Sequence, residues 1–176
     1  MAIYQFEDRI PSIGQDTYVH PSASIIGDVS IGEGCWIGPG ACIRGDYGRV
    51  IIGNCTSIEE NVVVHARPGE QTTIGDWVTI GHAAVIHNAT IRDYAVIGMR
   101  AVVSDWATVG VWSVVAEGAV VRQNQEVPAG TIAVGVPARL LDKGVNDDYR
   151  AQWTEFKKIY VDLARRYPGG LRTLQP

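Results

Sequence analysis

The sequence predicts a mainly β protein, a parallel β-helix of six-residue repeats followed by one C-terminal α-helix. Three observations predict it. Aliphatic residues recur at every sixth position, glycines often follow them, and near the C-terminus the spacing changes to three and four. A single α-helix cannot sustain a period of six, because its own period is 3.6. Short extended segments separated by turns can, and self-similarity at a fixed period is the mark of a solenoid.

The repeat begins at Val19, Ile25, Ile31, Ile37 and Ile43. A short insertion around Asp46–Arg49 interrupts it, and it resumes at Ile52, Ile58 and Val64. A second insertion, Ala66–Thr73, carries Pro68-Gly69. The period returns at Ile74, Ile80 and Ile86, takes one five-residue step to Ile91, and continues through Ile97, Val103, Val109, Val115 and Val121. Small or β-branched residues such as Ala23, Cys35, Thr56 and Val78 stand two places earlier. Three segments make one triangular coil of about 18 residues, and stacked coils pair through parallel β hydrogen bonds. The aliphatic side chains fill the prism, and the glycines are expected at its tight corners.

Beyond residue 145 the pattern changes. Tyr149, Trp153, Phe156, Tyr160, Leu163 and Tyr167 recur at helical spacing and predict one amphipathic helix. Asn146 or Asp147 is its expected N-cap, and Pro168-Gly169-Gly170 its expected end. The chain thus divides into a β-helix domain, 1–145, and a helix, 146–176, packed on the outside of the prism.

Composition narrows the function classes. The 176 residues are nearly half apolar with a net charge of −4, which suits a folded domain. There is no basic cluster to meet a nucleic acid and no apolar run to span a membrane. The start, Met1 to Asp8, has neither the basic nor the apolar region of a signal peptide. Cys35, Cys42 and Cys55 form no C-x-x-C pair, so a reducing, cytoplasmic setting with small buried thiols is expected.

The repeat also positions the histidines. Grouping aliphatic positions in threes gives coils 37/43/52, 58/64/74 and 80/86/91, with Ile43, Val64 and Ile86 at equivalent places. The next residue in each, Arg44, His65 and His87, points outward. His65 and His87 should therefore lie one coil apart, near the ~4.8 Å strand spacing, where they can share a metal. His82 follows Ile80 on a different corner, more than ~10 Å away along one side of the prism. A neighbouring chain can bring its own His82 to the His65/His87 corner, and three such heterologous contacts close a ring. Three neutral imidazoles with one open position describe a catalytic zinc site, although cobalt or ferrous iron also suits these ligands. His20 falls on another corner and is expected to be a surface residue.

The segments Arg44-Gly45-Asp46, Thr56-Ser57-Ile58-Glu59-Glu60-Asn61-Val62-Val63-Val64-His65 and Ile80-Gly81-His82-Ala83-Ala84-Val85-Ile86-His87 resemble the gamma-class carbonic anhydrase family. Gly98-Met99 and Gly135-Val136-Pro137-Ala138-Arg139 fit the same resemblance, which covers nearly the whole chain. It implies a left-handed β-helix, a homotrimer, and reversible hydration of CO2 to bicarbonate. It also implies a zinc ion held by His65 and His87 of one subunit and His82 of the next. Arg44 and Asp46 would form ion pairs across the subunit interface, with Glu60 at the position of the partner acid, and Arg44 would order the site beside bicarbonate. The family commonly has N-x-Q-D where this chain has Ser57-Ile58-Glu59-Glu60. Glu59 replaces a glutamine that orients water or substrate. An ionised carboxylate accepts hydrogen bonds but donates none, so Glu59 acts as a base or weakens that orientation. The alternative functions are a CoA-dependent acyltransferase or thioesterase of the same superfamily, which needs one histidine and no metal, and a low-activity assembly subunit.

Overall fold

The computed structural model describes residues 2–174. Met1 and the final two residues, which the expected leaderless start and helix segment included, lie outside the described residues. The aliphatic period builds a parallel β-solenoid of about seven turns. Strands are mostly two or three residues long because each side of the prism needs only that many before the chain turns. The coil grouping read from the sequence is the observed register: Ile37 pairs with Ile58 and Ile58 with Ile80, Ile43 with Val64 and Val64 with Ile86, Ile52 with Ile74 and Ile74 with Ile91. These inward residues are almost fully buried and form one continuous core. Each contributes about 1.5–3 kcal/mol by leaving water.

The insertion at Asp46–Arg49 lies within one long strand, Cys42–Ile52, that runs through two sides of the prism and pairs with Ser24–Ile31 across a register shift between Gly27 and Val29. Most glycines that follow the aliphatic residues serve a purpose other than the expected one, although Gly27 does take the left-handed region at φ 79°. The left-handed corner positions are taken mainly by other residues, among them Cys55, Asn61, Trp77, Ala83, Tyr94 and Trp106. Gly81 is needed for close approach instead, since a Cβ there would sit 2.9 Å from the Ile97 carbonyl of the next coil.

The three sides of the prism carry different surfaces. One side, with strands Tyr18–Val19, Trp36–Ile37, Ser57–Ile58, Thr79–Ile80 and Val96–Ile97, carries helix α1, Asp147–Gly170, which packs on the first three. A second presents Thr73, Thr90, Thr108 and Glu126 in register. The third presents Val63, Val85, Val102 and Val120 in register, and Val63 is exposed.

Asn146 caps α1, its side chain accepting from the Tyr149 N–H at 2.9 Å. The helix continues through Pro168, whose fixed φ suits a helix and whose missing N–H removes only one bond of the final turn. Tyr160, Leu163, Ala164 and Tyr167 pack on Tyr18 and Trp36. Phe156 is displaced from the expected stripe and is 45% exposed, while Lys157 is buried in the line 153/157/160/164. Its amine donates to Thr79 Oγ1 at 3.1 Å and to the Ala95 carbonyl at 3.3 Å.

Candidate metal centre

The register that pairs Ile43 with Val64 and Ile86 also aligns Arg44 with His65 and His65 with His87. The two imidazoles meet on the valine-bearing side, with ring centroids 5.2 Å apart. His65 Nδ1 lies 3.2 Å from His87 Nε2. The outer nitrogens each meet a carboxylate. His65 Nε2 is 3.1 Å from Asp46 Oδ1, and His87 Nδ1 is 2.6 Å from Asp105 Oδ1. Arg44 pairs with Asp46, and Arg67 with Asp105 at 2.8 Å. The result is a line of paired side chains, Arg44–Asp46–His65–His87–Asp105–Arg67, with an ion pair at each end and the two imidazoles in the middle, spanning four coils.

Electrostatics match this line. Burial lowers the His65 pKa, with Asp46 opposing that shift and Arg44 adding to it, so its neutral form is favoured. Burial would raise the Asp46 carboxyl, but its bonds to Arg44 and His65 outweigh that and hold it below the usual range. The Arg67 hydrogen bond lowers Asp105, with His87 helping against burial.

These residues suit a zinc ion. When each outer N–H is donated to an aspartate, the inner nitrogens present lone pairs to each other. Two nitrogens on one tetrahedral zinc, each roughly 2.0–2.1 Å from it, lie about 3.3 Å apart, close to the observed spacing. A carboxylate behind each imidazole is the usual way a metal-binding histidine is held in one tautomer.

His82 is elsewhere on the same chain. It projects from a corner turn closed by the Ala84 N–H to the Gly81 carbonyl at 3.1 Å, with Ala83 in the left-handed region at φ 59°. Glu59 Oε2, one coil away, accepts from the His82 backbone N–H at 3.2 Å and lies 3.0 Å from its Nε2. Glu60 lies against Nδ1 as a close charge contact without hydrogen-bond alignment. Among the described residues, no three His, Cys, Asp or Glu side chains of one chain gather around a common metal position. Glu59 is buried, and its carboxyl is raised by burial against the pull of Tyr160 and His82. His20 is on another corner, with Nδ1 2.8 Å from the Ser22 hydroxyl.

The sequence reading had no partner for the outer nitrogens. The register supplies a signal for one of them: Ile86 pairs with Val103, so Ser104 stands one coil beyond His87 and Asp105 follows it at the corner. A cavity of about 620 Å³ separates part of α1 from the solenoid, with Glu59, His82, Trp153, Phe156 and Tyr160 in its wall.

A family model described as "Bacterial transferase hexapeptide (six repeats)" matches residues 11–45. The chain is 37% identical over 177 residues to carnitine operon protein CaiE of Salmonella newport, an alignment covering 100% of this chain and 88% of that protein. It is 40% identical over 166 residues to mitochondrial gamma carbonic anhydrase 1 of Arabidopsis thaliana. The chain belongs to the hexapeptide-repeat family that includes the gamma-class carbonic anhydrases. The alignment to the plant relative covers 91% of this chain but only 60% of that protein, so the chain spans about three-fifths of it. Among solved structures of the hexapeptide-repeat fold, a putative acetyltransferase of Bacillus cereus matches with a TM-score of 0.91 and 28% identity, over 94% of this chain and 96% of that one. No helix among the described residues is long and apolar enough to cross a membrane.

Proposed function

We propose that the chain is a zinc-dependent hydratase that converts CO2 to bicarbonate at the subunit interfaces of a homotrimer. The observation that carries this reading is the imidazole pair, whose inner nitrogens face each other at 3.2 Å while an aspartate holds each outer one. His65 and His87 would hold the metal with His82 of a neighbouring chain. His82 has to release Glu59 or Glu60 from one ring nitrogen to do so, and the carboxylate that stays would orient the ring as Asp46 and Asp105 orient theirs. The uncovered valine strip Val63–Val85–Val102–Val120 flanks the pair and supports burial of this side against another subunit.

Held by His65, His87 and the neighbouring chain's His82, a zinc ion would supply a nucleophilic hydroxide at neutral pH. The protein's own residues do the rest. Asp46 and Asp105 keep protons on the outer nitrogens. Arg44, beside Asp46 and partly exposed, offsets negative charge where bicarbonate forms. Glu59 accompanies the neighbouring chain's His82 to the interface, where its carboxylate is the candidate base. The chain's setting in the cell is proposed as cytoplasmic.

Metal analysis of untagged protein combined with stopped-flow CO2 hydration tests the reading. About one metal per chain and hydration above buffer are expected. A metal-loaded trimer with no hydration at several pH values would contradict the activity. The second reading, a CoA-dependent acyltransferase or thioesterase, draws on the likeness to the Bacillus cereus protein and on the Glu59–His82 contact, a carboxylate–histidine pair suited to general-base work. Fewer than one metal per three chains, with acyl transfer from an acyl-CoA, would favour it.

A further inference from the structure

The two arms of the charged line are built differently. On the His65 arm, Asp46 is two residues from its own arginine in the same strand. On the His87 arm, the carboxylate comes from the next coil and its arginine from the previous one. Asp105 Oδ1 meets His87 Nδ1 at 2.6 Å, and Asp105 Oδ2 accepts from Arg67 Nη2 at 2.8 Å. Each carboxylate oxygen therefore has one partner, and the carboxylate plane is fixed by both.

Arg67 is itself held in place. Its guanidinium lies 5.2 Å from the Trp106 ring centroid, and its backbone N–H donates to Asn88 Oδ1 at 3.3 Å. The Trp106 backbone N–H in turn donates to the Asn88 carbonyl at 2.7 Å. Asn88 directly follows His87, is buried, and occupies the left-handed region at φ 49°, which asparagine adopts more readily than most residues. Three successive corners are thus tied to one another around the imidazole.

We propose that Asp105, clamped by Arg67, is a positioning residue for His87: it takes the Nδ1–H and leaves Nε2 as the nitrogen that faces His65 and binds metal. This rests on the metal-site reading above. Nothing about the pairing requires a metal to be present, so its effect on the ring can be read separately from metal binding.

Nitrogen-15 NMR of the imidazoles in metal-free protein reads the tautomer, and zinc competition against a chromophoric chelator reads affinity. The wild type is expected to hold His87 with its proton on Nδ1. Asp105→Asn should move that proton into tautomeric exchange and weaken zinc binding by about 10- to 100-fold. Asp105→Glu should restore part of the affinity. Arg67→Ala, at a half-exposed site, keeps the carboxylate, guards against a folding defect in the Asp105 variants, and should weaken zinc binding by a smaller factor in the same direction. Unchanged tautomer or unchanged zinc affinity in folded Asp105→Asn overturns the proposal. A wild type that binds no zinc overturns the hydratase reading instead, and the NMR result alone then decides the role of Asp105.

Discussion

The two histidine corners of one chain are prepared to different degrees. At the His65/His87 corner each ring has one nitrogen in an aligned hydrogen bond to a carboxylate and the other turned toward its neighbour. At the His82 corner the ring is 46% exposed, and its two nitrogens rest beside Glu59 and Glu60 in charge contacts. The first corner is built by register, since parallel pairing places His65 and His87 side by side whatever the surroundings. The second is an isolated turn residue with room to reorient. The proposed site shared between chains would benefit from this division, because a fixed pair would receive an adjustable third ligand on assembly.

The largest effect should separate the corners. His87→Ala removes half of the preorganised pair and should abolish zinc retention and lower CO2 hydration by more than about 100-fold. His82→Ala should lower hydration as far while leaving the pair intact, so weak zinc binding should persist. Equilibrium dialysis and stopped-flow assays check both, and equal zinc loss in the two variants would erase the distinction. A smaller effect is expected from Glu59→Gln, which leaves a side chain of the same shape beside His82 but removes the charge. Hydration should fall about 10-fold, the scale of losing a group that orients a ligand. A rise would identify Glu59 as a restraint on His82.

The smallest effect concerns the helix side, behind Glu59. Burial lowers the Lys157 amine to about 7, with the Glu59 carboxylate pulling upward against it. The folded value lies below the unfolded one near 10.4, so the unfolded chain binds more protons between them. Stability therefore rises as pH goes from about 7 toward 10.4 and is lost as pH falls back through that window. Lys157→Met should flatten this dependence in urea titrations and raise the melting temperature at pH 7. An unchanged pH profile would mean that Lys157 stays charged inside the fold.

Much of this was legible in the sequence, for particular physical reasons. A period of six over a hundred residues leaves little freedom in register, so the stacking of Arg44, His65 and His87 followed from counting. The displacement of His82 followed from the same count. One more coil of the same arithmetic reaches Ser104, and Asp105 stands one residue past it. An aspartate at a turn, however, ordinarily bonds its own backbone or faces water, so its residue type carried no signal. Lys157 was unreadable, because a lysine in an amphipathic helix ordinarily extends into water, and only the packing of α1 against Thr79 shows that it does not. The glycines were explained only in part. Gly27 does take a left-handed conformation, whereas Gly81 is needed for contact between coils, which depends on a stacking distance that a single repeat does not contain.

Subunit mixing tests the shared site most directly. His82→Ala and His87→Ala chains, each unable to complete a site in its own trimer, are unfolded together and refolded at equal ratio. Random closed trimers would regain about a quarter of the wild-type sites, each joining an intact His65/His87 pair to an intact His82 of the next chain. A shared site predicts recovery of zinc and of CO2 hydration to about that fraction. Verified mixed trimers with no more zinc or activity than the parent variants would contradict it.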